Sequence, residues 1–279
     1  MFFRPRTLDD ALAQLATGNA QILAGGTDVF PALVDNPQTR PFLDISGLAE
    51  LRGITVGETH VRIGASVTWT EVVKADLPRG FGALKTAARE VGSIQIQNRG
   101  TVAGNLCNAS PAADGVPPLL ILDAEVELAG PNGRRRQLPL AQFLTGYRQT
   151  ARRDDEIVTA IVVPNAMTGA RSAFLKLGAR RYLVISIVMV AAALRRDDAG
   201  LVGAARIAVG SCSAVAQRLP ALEAALVGQP ATAGIGALVA AQHLTPLTPI
   251  DDVRATAAYR SDAARTLIVR ALEACVEDA

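Results

Sequence analysis

Three thiols, Cys107, Cys212 and Cys275, are scattered through 279 residues with no CxxC spacing. Their scarcity argues against a disulfide framework and against a cysteine-ligated metal or iron–sulfur cluster within the chain. Charge of one sign is equally scarce. Lys and Arg number 28 against 26 Asp and Glu, and the longest basic run is Arg134-Arg135-Arg136. That run follows Pro131-Asn132-Gly133 and reads as a solvated hairpin tip, so nucleic acid is not an expected partner. The most apolar stretch, Tyr182 to Leu194, is 13 residues long, too short to cross a bilayer. Met1-Phe2-Phe3-Arg4-Pro5 lacks the apolar run of a signal peptide, and a cytoplasmic location is expected. His60 and His243 are isolated, and no nucleophile, histidine and acid form a hydrolytic set. What the chain does have is a 49% hydrophobic composition and length for two domains.

Thr7-x-x-Asp10 predicts a capped helix from Leu8 to Ala16, stopped by Gly18. Strands are expected at 22–24, 42–45, 54–56 and 61–63. Thr68-x-x-Glu71 opens a helix to about Ala75, and a second helix runs from 82 to 91 with one apolar face. A buried segment at 119–122 and strands at 125–128 and 156–163 follow, closed by Pro164. Residues 165–170 have linker composition. Beyond them lie three expected strands, at 172–177, 184–194 and 204–209, then helices at 219–227, 236–243 and 257–276. Strands first and helices afterwards indicate an α+β domain.

Two glycine-rich segments carry the chemistry. Ala24-Gly25-Gly26-Thr27-Asp28 follows the apolar Ile22-Leu23, and Val29 to Val34 reads as the start of a helix pointing back at it. Thr101-Val102-Ala103-Gly104-Asn105 leads into Ser110 and Asp114. Each reads as a turn out of a strand in which small residues expose successive N–H groups, the equipment for holding phosphate. Asn105 supplies an amide suited to ribityl or ring carbonyl groups, and the Asp114 carboxylate suits sugar hydroxyls better than phosphate. Two such segments suggest a pyrophosphate with something more attached, and the reading is FAD. Isolated histidines argue against covalent attachment through histidine. Gly26→Asp is expected to abolish binding by setting a carboxylate against the pyrophosphate.

The same residues carry a resemblance. AGGTD, then QNRGTVAGNLCNASPAAD, Gly146-Tyr147-Arg148 and Glu156-Ile157-Val158 together resemble the medium, FAD-binding subunit of the molybdenum hydroxylases, the family of xanthine and carbon monoxide dehydrogenases. It covers essentially the whole chain. The resemblance implies an α+β fold: a two-subdomain FAD-binding domain of vanillyl-alcohol-oxidase type at 1–168 (subdomains about 1–55 and 56–168), then an α+β domain at 169–279 with a three-stranded antiparallel sheet and helices. It implies that Ala24, Gly25, Gly26, Thr27 and Asp28 wrap the pyrophosphate. Thr101, Gly104 and Asn105 would meet pyrophosphate and flavin-side atoms, with Ser110 nearby and Asp114 at a ribose or ribityl hydroxyl. Ile157 and Val158 match apolar positions beside flavin or adenine, and Lys176 matches a lysine reaching the flavin's polar edge. Tyr182 falls in a segment near the flavin, with a core or interface role equally open.

By the same resemblance the chain is an oxidoreductase subunit with no catalytic residues for hydroxylation. Electrons would come from [2Fe–2S] clusters in a small subunit, served by a molybdopterin large subunit, in a dimer of heterotrimers. A stand-alone FAD-dependent reductase and a non-redox nucleotide-binding protein are the alternatives. Ala103 stands where the family has glycine. A left-handed alanine there would cost about 1 kcal/mol, so a negative φ is expected.

Overall fold

The computed structural model describes residues 1–34 and 39–277. The chain opens with β1 (Phe2–Phe3), α1 (Leu8–Ala16), β2 (Gln21–Leu23) and β3 (Phe42–Asp44), which form a small parallel sheet in the order β1-β3-β2. The Thr7 hydroxyl accepts the Asp10 N–H at 3.1 Å, so α1 starts where its cap dictates. Leu8, Ala11, Leu12 and Leu15, spaced as one helical face, are buried against the sheet.

β4 (Ile54–Val56), β5 (His60–Gly64), α2 (Trp69–Lys74), α3 (Gly82–Glu90), α4 (Ile94–Gln97), α5 (Val102–Asn108) and α6 (Val116–Ile121) come next. They lead to β6 (Glu125–Ala129), β7 (Arg135–Pro139), α7 (Leu140–Phe143), β8 (Leu144–Gly146), β9 (Gln149–Thr150) and β10 (Ile157–Pro164). Five of these strands make an antiparallel sheet, β4-β5-β10-β6-β7. β10 is its centre, and its run Ile157 to Val163 is buried throughout. The Thr68–Glu71 capping box at α2 is formed from both sides.

Several expectations change. The second glycine-rich segment does not turn out of a strand; it opens helix α5, with the Thr101 hydroxyl oxygen at the N-cap accepting the Gly104 N–H at 3.0 Å. Residues 27–34 make a turn and a 3₁₀ segment at Pro31–Leu33, not a helix. The 165–170 stretch is no free linker: Met167 and Ala170 are buried beneath it. Arg134 and Arg136 are not merely solvated, because they pair with Asp155 at 2.8 Å and Glu156 at 2.7 Å. The hairpin tip itself holds, with Asn132 and Gly133 both at positive φ.

The last region holds β11 (Arg171–Leu177), β12 (Val188–Arg196), β13 (Val202–Gly210), β14 (Gln217–Arg218), α8 (Pro220–Leu226) and α9 (Ala257–Val276). Its antiparallel sheet has four strands, not three, since the two-residue β14 adds to β13. The helix expected at 236–243 is replaced by two 3₁₀ turns. In β12 the alternation of a strand divides two cores. Met189, Ala191 and Ala193 join the core of the preceding region, while Val188, Val190, Ala192 and Leu194 pack against α8 and α9. Arg218 clamps the two regions, reaching Asp123 at 2.7 Å and Glu223 at 2.5 Å.

Candidate functional site

Gly25 is the point at which the two glycine-rich segments meet. A Cβ there would lie inside the van der Waals shell of the Arg99 carbonyl oxygen, and the Thr27 hydroxyl sits over Gly100 in return. Only a residue without a side chain permits backbone to pass backbone this closely. The start of α5 is tied down separately: Val102 N–H donates to the Val67 carbonyl at 3.0 Å, and Trp69 N–H donates to that of Gly100 at 3.1 Å. Trp69 is fully buried, with its ring against Gly115.

Between the segments opens a cleft of about 960 Å³. Twelve of the thirteen residues singled out from sequence line it, from Ala24 to Asp28, at Thr101, Gly104, Asn105, Ser110 and Asp114, and at Ile157 and Val158. Sequence reasoning missed the far wall, Val91 to Ser93 and Leu183 to Ile185, which carries no motif. It also gave no role to Arg152 and Asn108, which line the same cleft. Tyr182, beside that far wall, is 67% exposed and so is not a core residue.

Lys176 lies outside the lining. Its ammonium donates to Asp114 Oδ2 at 2.6 Å, and Ser186 Oγ donates to Oδ1 at 2.7 Å. Both members of the ion pair are under a tenth exposed. Burial pushes the Asp114 carboxyl above the ordinary carboxylate range, against the pull of Lys176 and Ser186. Asp114 thus faces the cleft with both oxygens already engaged by the protein.

The residues fit a dinucleotide. Among the described residues, the N–H groups of Gly25, Gly26, Thr27, Asp28 and Val29 donate to no protein acceptor. Five successive free amides at a turn form a concavity for an anion. Asn105 Oδ1 is buried on the cleft wall without a partner, which a ligand donor would satisfy. In the second segment the Val102 and Gly104 N–H groups are already used within the protein, so the first segment carries most of the anion site.

Two glycine-pattern expectations resolve here. Ala103 lies inside α5, buried, and is not among the positive-φ residues. Its methyl group fits without strain, as expected. Ala103→Gly should therefore cost about 0.5–1 kcal/mol through backbone entropy and leave FAD content unchanged, read as a small drop in Tm with an unaltered flavin-to-protein ratio. Gly26, at φ 75°, points its Cβ position at the Phe30 ring, 2.5 Å away, and not into the cleft. A carboxylate at 26 would not face the pyrophosphate as expected. Gly26→Asp should instead act by displacing the half-exposed Phe30, so titration should give a partial loss of FAD affinity.

Residues 1–166 match the model of the FAD binding domain in molybdopterin dehydrogenase, and residues 173–275 that of the CO dehydrogenase flavoprotein C-terminal domain. The nicotinate dehydrogenase FAD-subunit of Eubacterium barkeri is 37% identical over 239 residues, covering 83% of this chain and 80% of that one. The xanthine dehydrogenase FAD-binding subunit of Escherichia coli O157:H7 is 32% identical across 99% of this chain and 95% of its own. Among solved structures, carbon monoxide dehydrogenase from Hydrogenophaga pseudoflava superposes with a TM-score of 0.88 at 29% identity, covering 98% of this chain and 96% of that one. An FAD-binding domain and a flavoprotein C-terminal domain, joined in the order and fold of these relatives, make this chain a member of the FAD-binding subunits of the molybdenum hydroxylases, and so an oxidoreductase subunit.

Proposed function

We propose that this chain holds FAD non-covalently in the cleft and serves as the electron outlet of a molybdenum hydroxylase complex. The observation that carries the reading is the run of five unpartnered amides from Gly25 to Val29. FAD, when bound, supplies exchange between one-electron and two-electron transfer. The chain's own part is to bind and orient. The free amides take the pyrophosphate, Asn105 Oδ1 accepts from a cofactor donor, and the exposed Leu183 and Ile185 border the side open to a redox partner.

Electrons would enter from [2Fe–2S] clusters of a small subunit, fed by a molybdopterin large subunit, and leave to an external acceptor. Among the described residues no group of three or more His, Cys, Asp or Glu is placed to hold a metal ion. A dimer of heterotrimers in the cytoplasm is the proposed assembly. No helix among the described residues is long and apolar enough to cross a membrane.

The test is expression with and without the partner subunits. The expected result is a yellow chain whose flavin absorbance bleaches with reductant and which co-purifies with iron–sulfur and molybdenum subunits. An isolated chain that oxidises NAD(P)H with an organic acceptor at enzymatic rates, without partners, would overturn the complex-subunit reading.

A further inference from the structure

The cleft wall formed by Leu183 to Ile185 belongs to a loop, residues 178–187, that joins β11 to β12. Residues 179–183 and Ile185 are exposed, so packing does little to fix the loop. Two consecutive residues at its C-terminal end tie it down. Ser186 Oγ donates to Asp114, and the Ile187 carbonyl accepts from Arg260 Nη1 at 2.6 Å.

Arg260 stands in the first turn of α9 and is 3% exposed. The same Nη1 donates to the Ser211 carbonyl at 3.1 Å, and Nη2 donates to Asp252 Oδ1 at 2.6 Å. Ser211 follows β13 in the left-handed region, φ 63°, and its N–H donates to the Pro111 carbonyl at 3.0 Å. Pro111 sits between Ser110 and Ala112, which both line the cleft. One guanidinium thus ends two lines of contact into the cleft, one through the 178–187 loop and one through the 110–114 segment. Its planar fork can meet carbonyls of separate segments at once.

Stability alone does not account for an arginine here. Its Nε is buried without a partner, as is Ser211 Oγ, and an unmet buried polar group is a cost. Apolar groups in place of a buried ion pair are often neutral or better. What they lack is the pair of bonds to the Ile187 and Ser211 carbonyls, which fix where the backbone behind the cleft lies.

We infer that Arg260 is a positioning residue for the cleft. From α9, outside the lining, it sets the Leu183–Ile185 wall against the 110–114 segment and so governs cofactor affinity, an inference that rests on the FAD reading above.

The test uses the full chain freed of flavin, titrated with FAD by quenching of flavin fluorescence, with Tm measured in parallel. Arg260→Met is expected to raise the FAD Kd about tenfold. It should still fold, because Asp252 is a quarter exposed and water can take over its carboxylate. Leu226→Ala is the matched control: Leu226 is fully buried in the same core, on α8, and absent from the lining. It should lower Tm and leave the FAD Kd within about twofold. Arg260→Lys keeps the charge beside Asp252 without the fork, so Tm should recover more than affinity, and it carries the same test if the Met variant does not fold. Ser186→Ala loosens the same loop, so its loss of affinity should be smaller in the Arg260→Met background than alone. An unchanged FAD Kd at Arg260, an equal loss in Leu226→Ala, or strictly additive losses with Ser186→Ala would overturn the inference and leave the cofactor reading intact. A wild-type chain that binds no FAD would overturn both.

Discussion

Gly25→Ala should leave the protein folded and almost free of FAD. The added methyl group has no space, because its neighbour is the Arg99 carbonyl, a backbone atom that cannot rotate aside. Overpacking of this kind typically costs about 1–3 kcal/mol when surroundings can relax. Here the only relaxation is for the 24–28 turn to move off the start of α5. That movement turns the free amides of Gly25 to Val29 away from where the Thr101–Asn105 segment holds the other side of the ligand. Each hydrogen bond to a charged group contributes about 1.5–3 kcal/mol, so losing two weakens FAD binding by roughly a hundredfold to ten-thousandfold. The measurement is the flavin-to-protein absorbance ratio of the purified variant, followed by FAD titration. Gly47→Ala is the control, since nothing lies within 4 Å of a Cβ at that position. A Gly25→Ala protein with full flavin content would remove the two-segment cleft as the binding site.

Much of the scaffold was legible because its signals are local. Thr7 caps α1 and Thr256 caps α9, each through one side-chain oxygen and an N–H three residues on, and both helices run over the expected residues. The misreadings came where tertiary contacts outvote local pattern. Gly104 inside 101–105 reads as a loop signal, but the Thr101 hydroxyl and the bond from Val102 to Val67 start a helix there. At 165–170 the residue types are those of a linker, and what the sequence does not display is that Met167 and Ala170 find a core. β14 is two residues long and exists only through β13, so no periodicity could reveal it.

The site divides in the same way. Its glycines announce themselves, because close backbone approach restricts the residue type to one. Its supporting partners do not. Ser186 lies 72 residues from Asp114, and Arg148 lies 40 from Asn108. A serine before a strand and an arginine in a hairpin have many ordinary uses, and only the folded arrangement selects among them. The resemblance to a flavoprotein family supplied Lys176 as a residue of interest. The structure supplies its present partner, a buried carboxylate on the other side of the domain junction.

That partner makes Lys176→Met the second large effect, and one whose pH dependence separates charge from packing. The substitution leaves Asp114 buried with Ser186 as its remaining partner, and removing one member of a buried pair costs about 3–5 kcal/mol. For a chain of this size each kcal/mol lowers Tm by about 2–4 °C, so the expected fall at neutral pH is on the order of 10 °C. Burial already holds the folded carboxyl above its ordinary value of 3.8, and Lys176 is the main influence opposing that rise. Without Lys176 the rise is greater. Between the two values the folded variant keeps a proton that the unfolded chain has released, so its stability falls as pH increases through that window. The deficit relative to wild type should therefore be largest at neutral pH and shrink toward acid, where Asp114 is protonated in both states. Combining Lys176→Met with Asp114→Asn leaves no buried charge and should restore most of the lost Tm. Thermal unfolding of all three proteins at two pH values is the check. A deficit that is the same at both, or that the double variant deepens, would mean the lysine stem's packing, and not the ion pair, holds the C-terminal sheet to the cleft floor.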